Sequence, residues 1–226
     1  MQPDTQQHGQ ERRSFIEAAR REQIVEAAIE VIAKVGYASA SMARIAEHAG
    51  ISRGLISYHF TGKDDLIAQV VVTVYSEGAA FMGPKIDAAT TATGKLRAYI
   101  ESNLDYMRAH PERMAAIVDV LSGGALVDGT LDIDLGEAER QSLAPLEELF
   151  ERGLASGEFR PFDPTVMARA VRNVIDGIPP RITDADLDLE LCARELTTLF
   201  DLATRNPRTT SDVQASSSTE AEQELA

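Results

Sequence analysis

Between Ser41 and Lys63 the chain reads SMARIAEHAGISRGLISYHFTGK, and most of its chemistry-bearing side chains suit contact with nucleic acid. Arg53 stands where a short helix would begin, and an arginine there can make a bidentate contact to a guanine edge. Gly54 beside it weakens a helix but permits close backbone approach, and would leave the methyls of Leu55 open to a thymine. Arg44, Ser57, Tyr58, His59 and Lys63 offer charge or hydrogen bonds to phosphates. Ser41 and Ser52 read both as helix caps and as phosphate contacts, and the two roles are compatible because anions bind at helix N-termini. For Arg44 and Lys63 the bland alternative is a solvated surface cation; for Tyr58 it is the core. His59 has no partner His or Cys at ligand spacing, so no metal site is expected. No Ser/His/Asp or Cys/His arrangement suggests a catalytic group, and no cofactor or enzymatic activity is expected.

The elements that must position these residues are two short helices and a tight turn. Met42, Ile45, Ala46 and Ala49 share one apolar face at helical spacing. Gly50 stands where a left-handed residue ends a helix, Ile51 turns inward, and Ser52 caps a second helix over Arg53 to His59. Two short helices joined in this way form a helix-turn-helix.

The chain of 226 residues carries a formal net charge of -14. Phosphate binding needs cations, so the distribution of charge matters. Residues 1–65 hold eight Lys/Arg against nine Asp/Glu, and the remainder holds fourteen against twenty-seven. A nearly neutral head on an acidic body disfavours loose DNA binding and leaves affinity to a few placed contacts. Cys192 is the single cysteine, which excludes a disulfide framework and fits a reducing cytoplasm. No signal peptide or membrane span is expected.

The rest of the pattern is helical, with no strand alternation and no internal repeat. Residues 1–17 read as a mobile arm. A capping box at Ser14 and Glu17 opens a helix that carries Ile24, Ala28, Val31 and Val35 and stops at Gly36. Thr61 and Asp64 start a very apolar helix that Gly83-Pro84 should break. Further helices are expected from Lys95 to about Ala109, from Pro111 to Gly123-Gly124, from Glu137 to Ser156 around Pro145, from Asp163-Pro164 to Gly177, and from Asp186 to about Thr204. Residues 125–136 read as an irregular loop, and residues 206–226 as a disordered tail. The expected fold is all-α, with about nine helices: a DNA-binding domain over 18–78, its helix-turn-helix over 41–60, and a larger domain over 79–205.

In that larger part, Tyr75, Met82, Tyr99, Asn103, Tyr106, Met107, Met114 and Val118 form a stripe that lines a pocket or is plain bundle core. Asn103 and Asn173 would need partners if buried. Val166, Ala170, Asn173, Val174 and Gly177, with Leu191 and Leu199, suit a helix-on-helix dimer face. Leu187, Leu191, Leu196, Leu199 and Phe200 are expected to be buried on the last helix.

The series Gly36-Tyr37, Ser41-Met42, Ile45-Ala46, Ala49-Gly50-Ile51-Ser52, Gly54, Ile56, Tyr58-His59-Phe60, Lys63 and Leu66 resembles the TetR family of transcriptional regulators over roughly residues 18–78. The family usually has an aromatic, most often Tyr, at the position of Ser57, whose hydroxyl is shorter. The resemblance implies a homodimer with two reading heads on double-stranded operator DNA. It also implies a small-molecule effector bound in the C-terminal body and repression relieved by that effector. Two-fold symmetry then predicts a palindromic operator. A helical adaptor or small-molecule-binding protein that acts without DNA is the alternative, favoured by the acidic balance.

Overall fold

The computed structural model describes the backbone of residues 4–122, 135–181 and 187–207, and the side chains of 14–122, 140–180 and 187–207. The described residues form nine α-helices: α1 Asp4–Val35, α2 Met42–His48, α3 Arg53–His59, α4 Lys63–Ala88, α5 Ala92–Ala109, α6 Pro111–Ser122, α7 Leu135–Ala155, α8 Pro164–Asp176 and α9 Leu189–Thr204. Short 3-10 turns lie at Tyr37–Ser39 and Pro179–Arg181. An isolated bridge between Phe159 and Arg205 is the β-type pairing among the described residues. The fold is all-α, as the pattern predicts.

The chain divides into two compact units, one of residues 1–77 and 110–133, the other of residues 78–109 and 134–226. In the first unit α1 packs on α2 and α6, and α2 meets α3. Its core is mostly aliphatic: Ile24, Ala28, Ile29 and Ile32 of α1, Ile45 of α2, Ile56 of α3 and Leu66, Ile67 and Val70 of α4 are all buried, with Phe60 beside them. Burying each of the Ile, Leu, Val and Phe side chains stabilises by roughly 1.5–3 kcal/mol. Arg113 of α6 adds ion pairs to Glu26 of α1 and Glu77 of α4. These contacts place α6 with the N-terminal helices, although in sequence it falls within the 79–205 segment.

In the second unit α5 packs on α9 and α7, and α7 on α8. Phe150, Phe159 and Phe162 form a ring cluster with centroids 5.4–5.9 Å apart. Glu158 caps α5, accepting from the backbone N–H groups of Ala92 at 2.9 Å and Thr93 at 2.8 Å. Burial opposes its charge, but those bonds prevail and hold its carboxyl below the usual range.

Several boundaries differ from the sequence expectation. Helix α1 starts at Asp4 and runs through the Ser14–Glu17 capping box and the expected arm, because extending a formed helix costs little when the added residues are mostly good helix formers. Helix α4 continues through Gly83-Pro84 to Ala88. Pro84 and Ala80 are both exposed, so the Ala80 carbonyl that loses its N–H partner can be hydrated instead, one turn before the helix ends. By length and a mean hydropathy of 1.4, α4 could cross a membrane, but its start carries the buried Leu66, Ile67, Val70 and Val74 of the head. Helix α5 begins at Ala92 rather than Lys95, and α7 at Leu135 with Pro145 inside it. Helix α9 is capped by Asp188, two residues later than expected. Gly177 ends α8 with φ -75°, without the left-handed turn that Gly157 supplies after α7 at φ +74°. Of the side chains expected to be buried on the last helix, Phe200 is buried, Leu187 and Leu196 are half-buried, and Leu191 and Leu199 are exposed because they lie on the side of α9 turned away from the core of its unit. The expected 125–136 loop and most of the expected tail lie outside the described residues.

Candidate nucleic-acid interface

Each helix of the Ser41–Lys63 segment is opened by its own serine. Ser41 Oγ accepts from Arg44 N–H at 3.3 Å, and Ser52 Oγ from Leu55 N–H at 3.2 Å. Between them Gly50 adopts φ +66°, a left-handed value that other residues reach only with strain. Ile51 N–H then bonds the Ala46 carbonyl at 3.0 Å and closes the turn. Ile45, Ala46 and Ile56 are buried and lock the two helices together.

That packing decides which side of α3 is free. Ile56 points into the core, Leu55 and His59 are half-buried, and Arg53, Gly54, Ser57 and Tyr58 are exposed. Tyr58 is 72% exposed, which removes the core alternative; its ring meets His59 edge-on at 5.0 Å. Arg53 has no hydrogen bond or ion pair among the described residues. A Cβ on Gly54 would meet only Ser52 Oγ, at 3.9 Å, so nothing among the described residues requires glycine there. Ser41, Arg44 and Ser52 are exposed on the same segment, and Arg44 donates to the Ser39 carbonyl at 3.2 Å.

Lys63 is engaged more deeply than its sequence position suggests. Its ammonium donates to the Tyr37 carbonyl at 2.6 Å and lies 4.0 Å from the centroid of the Tyr37 ring. Burial pushes the Lys63 ammonium below its ordinary value, and the Asp64 and Asp119 carboxylates oppose that shift. An ammonium has three donor hydrogens, so this bond leaves capacity for a phosphate.

Sequence reasoning missed the residues that brace α3, the turn before it and the Tyr37 connector from elsewhere in the chain. Arg21 of α1 donates to the His59 carbonyl and stacks on the Phe60 ring at 4.3 Å. Gln23 donates to the Ala49 carbonyl at 3.1 Å. Asp119 of α6 accepts the Tyr37 N–H. The partners lie tens of positions apart, so no local spacing reveals them.

The remaining candidates are placed as follows. Tyr75, Met114 and Val118 belong to the first unit; Met82, Tyr99, Asn103, Tyr106 and Met107 belong to the second. Met114, Tyr99, Asn103, Tyr106 and Met107 are buried, and Tyr75 is exposed. Asn103 Nδ2 finds its partner in its own helix, the Tyr99 carbonyl at 2.8 Å, while Tyr99 Oη meets Arg172 at 3.3 Å. Asn173 is exposed, so its amide needs no internal partner. A charged open cleft between α5 and α9, lined by Glu101, Asp105, Arg108, Glu190 and Arg194 among others, shares none of these residues. Val166, Ala170, Asn173 and Val174 on α8, Gly177 at its C-terminal end, and Leu191 and Leu199 on α9 are all exposed.

Two capped helices on a left-handed glycine, with the second presenting a cationic and small-residue face, define a helix-turn-helix DNA-binding head. The family model for bacterial regulatory proteins of the tetR family matches residues 24–70. The chain is similar to the HTH-type transcriptional regulator BetI of Cronobacter sakazakii, 31% identical over 194 residues, which cover 80% of this chain and 88% of that protein. It is 37% identical over 87 residues to BetI 1 of Chromohalobacter salexigens, a match spanning 38% of this chain and 43% of the relative. In fold it is similar to a TetR-family transcriptional regulator from a Rhodococcus species, with a TM-score of 0.72, 21% identity, and coverage of 82% of this chain and 98% of the other. The chain belongs to the tetR family of bacterial regulatory proteins, and it is a DNA-binding regulator.

Proposed function

We propose that the protein is a homodimeric cytoplasmic repressor that holds a palindromic operator with two heads and releases it when a small molecule binds its helical body. One observation carries the proposal: α3 buries Ile56 and turns Arg53, Gly54, Ser57 and Tyr58 outward, with Arg53 left unpartnered among the described residues. In the major groove, Arg53 reads a base and Gly54 and Leu55 fit against the base edges. Ser41, Arg44, Ser52, Ser57, Tyr58, His59 and Lys63 then hold the phosphates and fix the register. The exposed apolar side chains of α8 and α9, including Val166 at 66% and Leu199 at 53%, support a subunit interface there. Tyr99, Asn103, Tyr106 and Met107 are the candidates for effector contact in the second unit. Such an effector must bind the DNA-incompetent arrangement more tightly than the competent one, since equal affinity shifts nothing.

The test is a mobility-shift titration of the full chain on duplex DNA flanking its own coding sequence, at two salt concentrations. Salt-sensitive binding that prefers one site over scrambled DNA is the expected result. Absence of DNA binding at low salt would favour the adaptor or ligand carrier to which the acidic body points.

A further inference from the structure

Tyr37 is held from two sides by groups that are remote in sequence. Gly36, at φ +82°, turns the chain out of α1 and leaves the Tyr37 N–H at the start of a 3-10 turn, without a helical partner. Asp119, on α6, supplies that partner across 82 positions. The approach is close: a Cβ on Gly36 would lie 3.4 Å from Asp119 Oδ2. The carbonyl of Tyr37 accepts from Lys63, the first residue of α4, and the Tyr37 ring lies under the same ammonium. The Asp119 carboxylate also favours the charged form of Lys63 against burial.

We infer that Asp119 is a positioning residue for the DNA anchor: by holding the Tyr37 backbone it fixes the carbonyl and ring that orient the Lys63 ammonium. The inference rests on the operator-binding proposal above. In this proposal Asp119 makes no contact of its own with DNA. It acts through Tyr37, so its loss frees Lys63 to swing and spreads its charge over many orientations. Helix α6 has other anchors besides this contact, since Arg113 separately pairs it with Glu26 and Glu77.

The test compares full-length wild type, Asp119→Ala, Asp119→Asn, Lys63→Ala and the Asp119→Ala/Lys63→Ala double variant on the duplex selected by the wild type. Affinity is measured across a salt series, with thermal melts alongside. Losing one phosphate contact lowers the salt slope by about 0.9. Asp119→Ala should reproduce most of the Lys63→Ala effect, an affinity loss of about 5- to 10-fold with the slope reduced by nearly one. The double variant should match Lys63→Ala, because coupled residues are non-additive. Asp119→Asn keeps an oxygen acceptor and should recover most of the affinity. If Asp119→Ala melts without cooperativity, Asp119→Leu, which keeps the side-chain bulk, takes its place. Wild-type binding with an unchanged slope in the folded Asp119 variant, or additive losses in the double variant, overturns the inference. So does failure of both apolar variants to fold while Asp119→Asn binds as wild type, which assigns Asp119 to structure alone. A wild type that binds no DNA sinks the operator proposal instead.

Discussion

The Arg21 guanidinium donates to the backbone carbonyl of His59 and lies over the ring of Phe60, tying α1 to the C-terminal end of α3. Helix α3 has seven residues and cannot persist alone, since isolated helices shorter than about 12–15 residues are marginal. Its orientation is thus supplied by its neighbours. Replacing Arg21 by Ala removes a cation from a helix C-terminus together with its ring contact. The expected cost is about 1–2 kcal/mol, read as a lowered denaturation midpoint, and DNA binding should weaken alike for matched and scrambled duplexes.

Gly54 gives an opposed pair of effects. A Cβ there has room within the chain, and alanine is favoured over glycine in a helix by roughly 0.8–1 kcal/mol. Gly54→Ala should raise the melting temperature while weakening operator binding, because the added methyl occupies the face offered to DNA. Thermal melts and a binding titration on one preparation check both. Unchanged binding in the stabilised variant would show that α3 does not approach DNA at this point.

Acid sensitivity should trace in part to Glu158. Its folded carboxyl lies below the ordinary value because the Ala92 and Thr93 N–H groups bond the ionised form against the cost of burial. A carboxyl so depressed contributes stability above its unfolded value, near 4.5, and loses that contribution as pH falls through the folded value. Glu158→Gln should therefore be less stable than wild type at neutral pH, with the gap narrowing in acid. Urea midpoints at pH 7 and pH 3 measure the difference, and a gap that stays constant would contradict the role of the charge.

Leu199 and Val174 test the subunit surface. Both are exposed, on α9 and α8. Leu199→Asp or Val174→Asp puts charge on the proposed interface without opening the core, so sedimentation should shift toward a monomer while helical content is retained. A dimer unaffected by both would place the interface elsewhere.

The parts of this fold that are legible in sequence are those with local causes. Ser41, Ser52 and Asp163 cap the helices they precede, and Gly36, Gly50 and Gly157 adopt positive φ where helices end. Each signal needs only a few consecutive residues. Pro84 shows where local rules stop. Its ring and missing N–H predict a break, but the helix is carried past it, and near its end the Ile86 carbonyl accepts from Lys95 at 3.2 Å. The Ser14–Glu17 pair likewise has capping-box spacing, and nothing in four residues reveals that the preceding chain is already helical. The candidate site divides in the same way. Arg53 and Tyr58 are found from the motif and do face outward, whereas Arg21, Gln23, Arg113 and Asp119 act through partners that only tertiary packing supplies.

The central claim is that α3 reads sequence through Arg53, and it is tested most directly by the ratio of specific to non-specific binding. Affinities of wild type and Arg53→Ala for the selected duplex, for a duplex with the contacted guanine replaced, and for scrambled DNA should be measured at one fixed salt concentration. Wild type should prefer the selected duplex over the replaced one by about 1–3 kcal/mol. Arg53→Ala should lose that preference and bind the two alike, while retaining its affinity for scrambled DNA within a few fold. An Arg53→Ala protein that still discriminates between the two duplexes as wild type does would contradict the account.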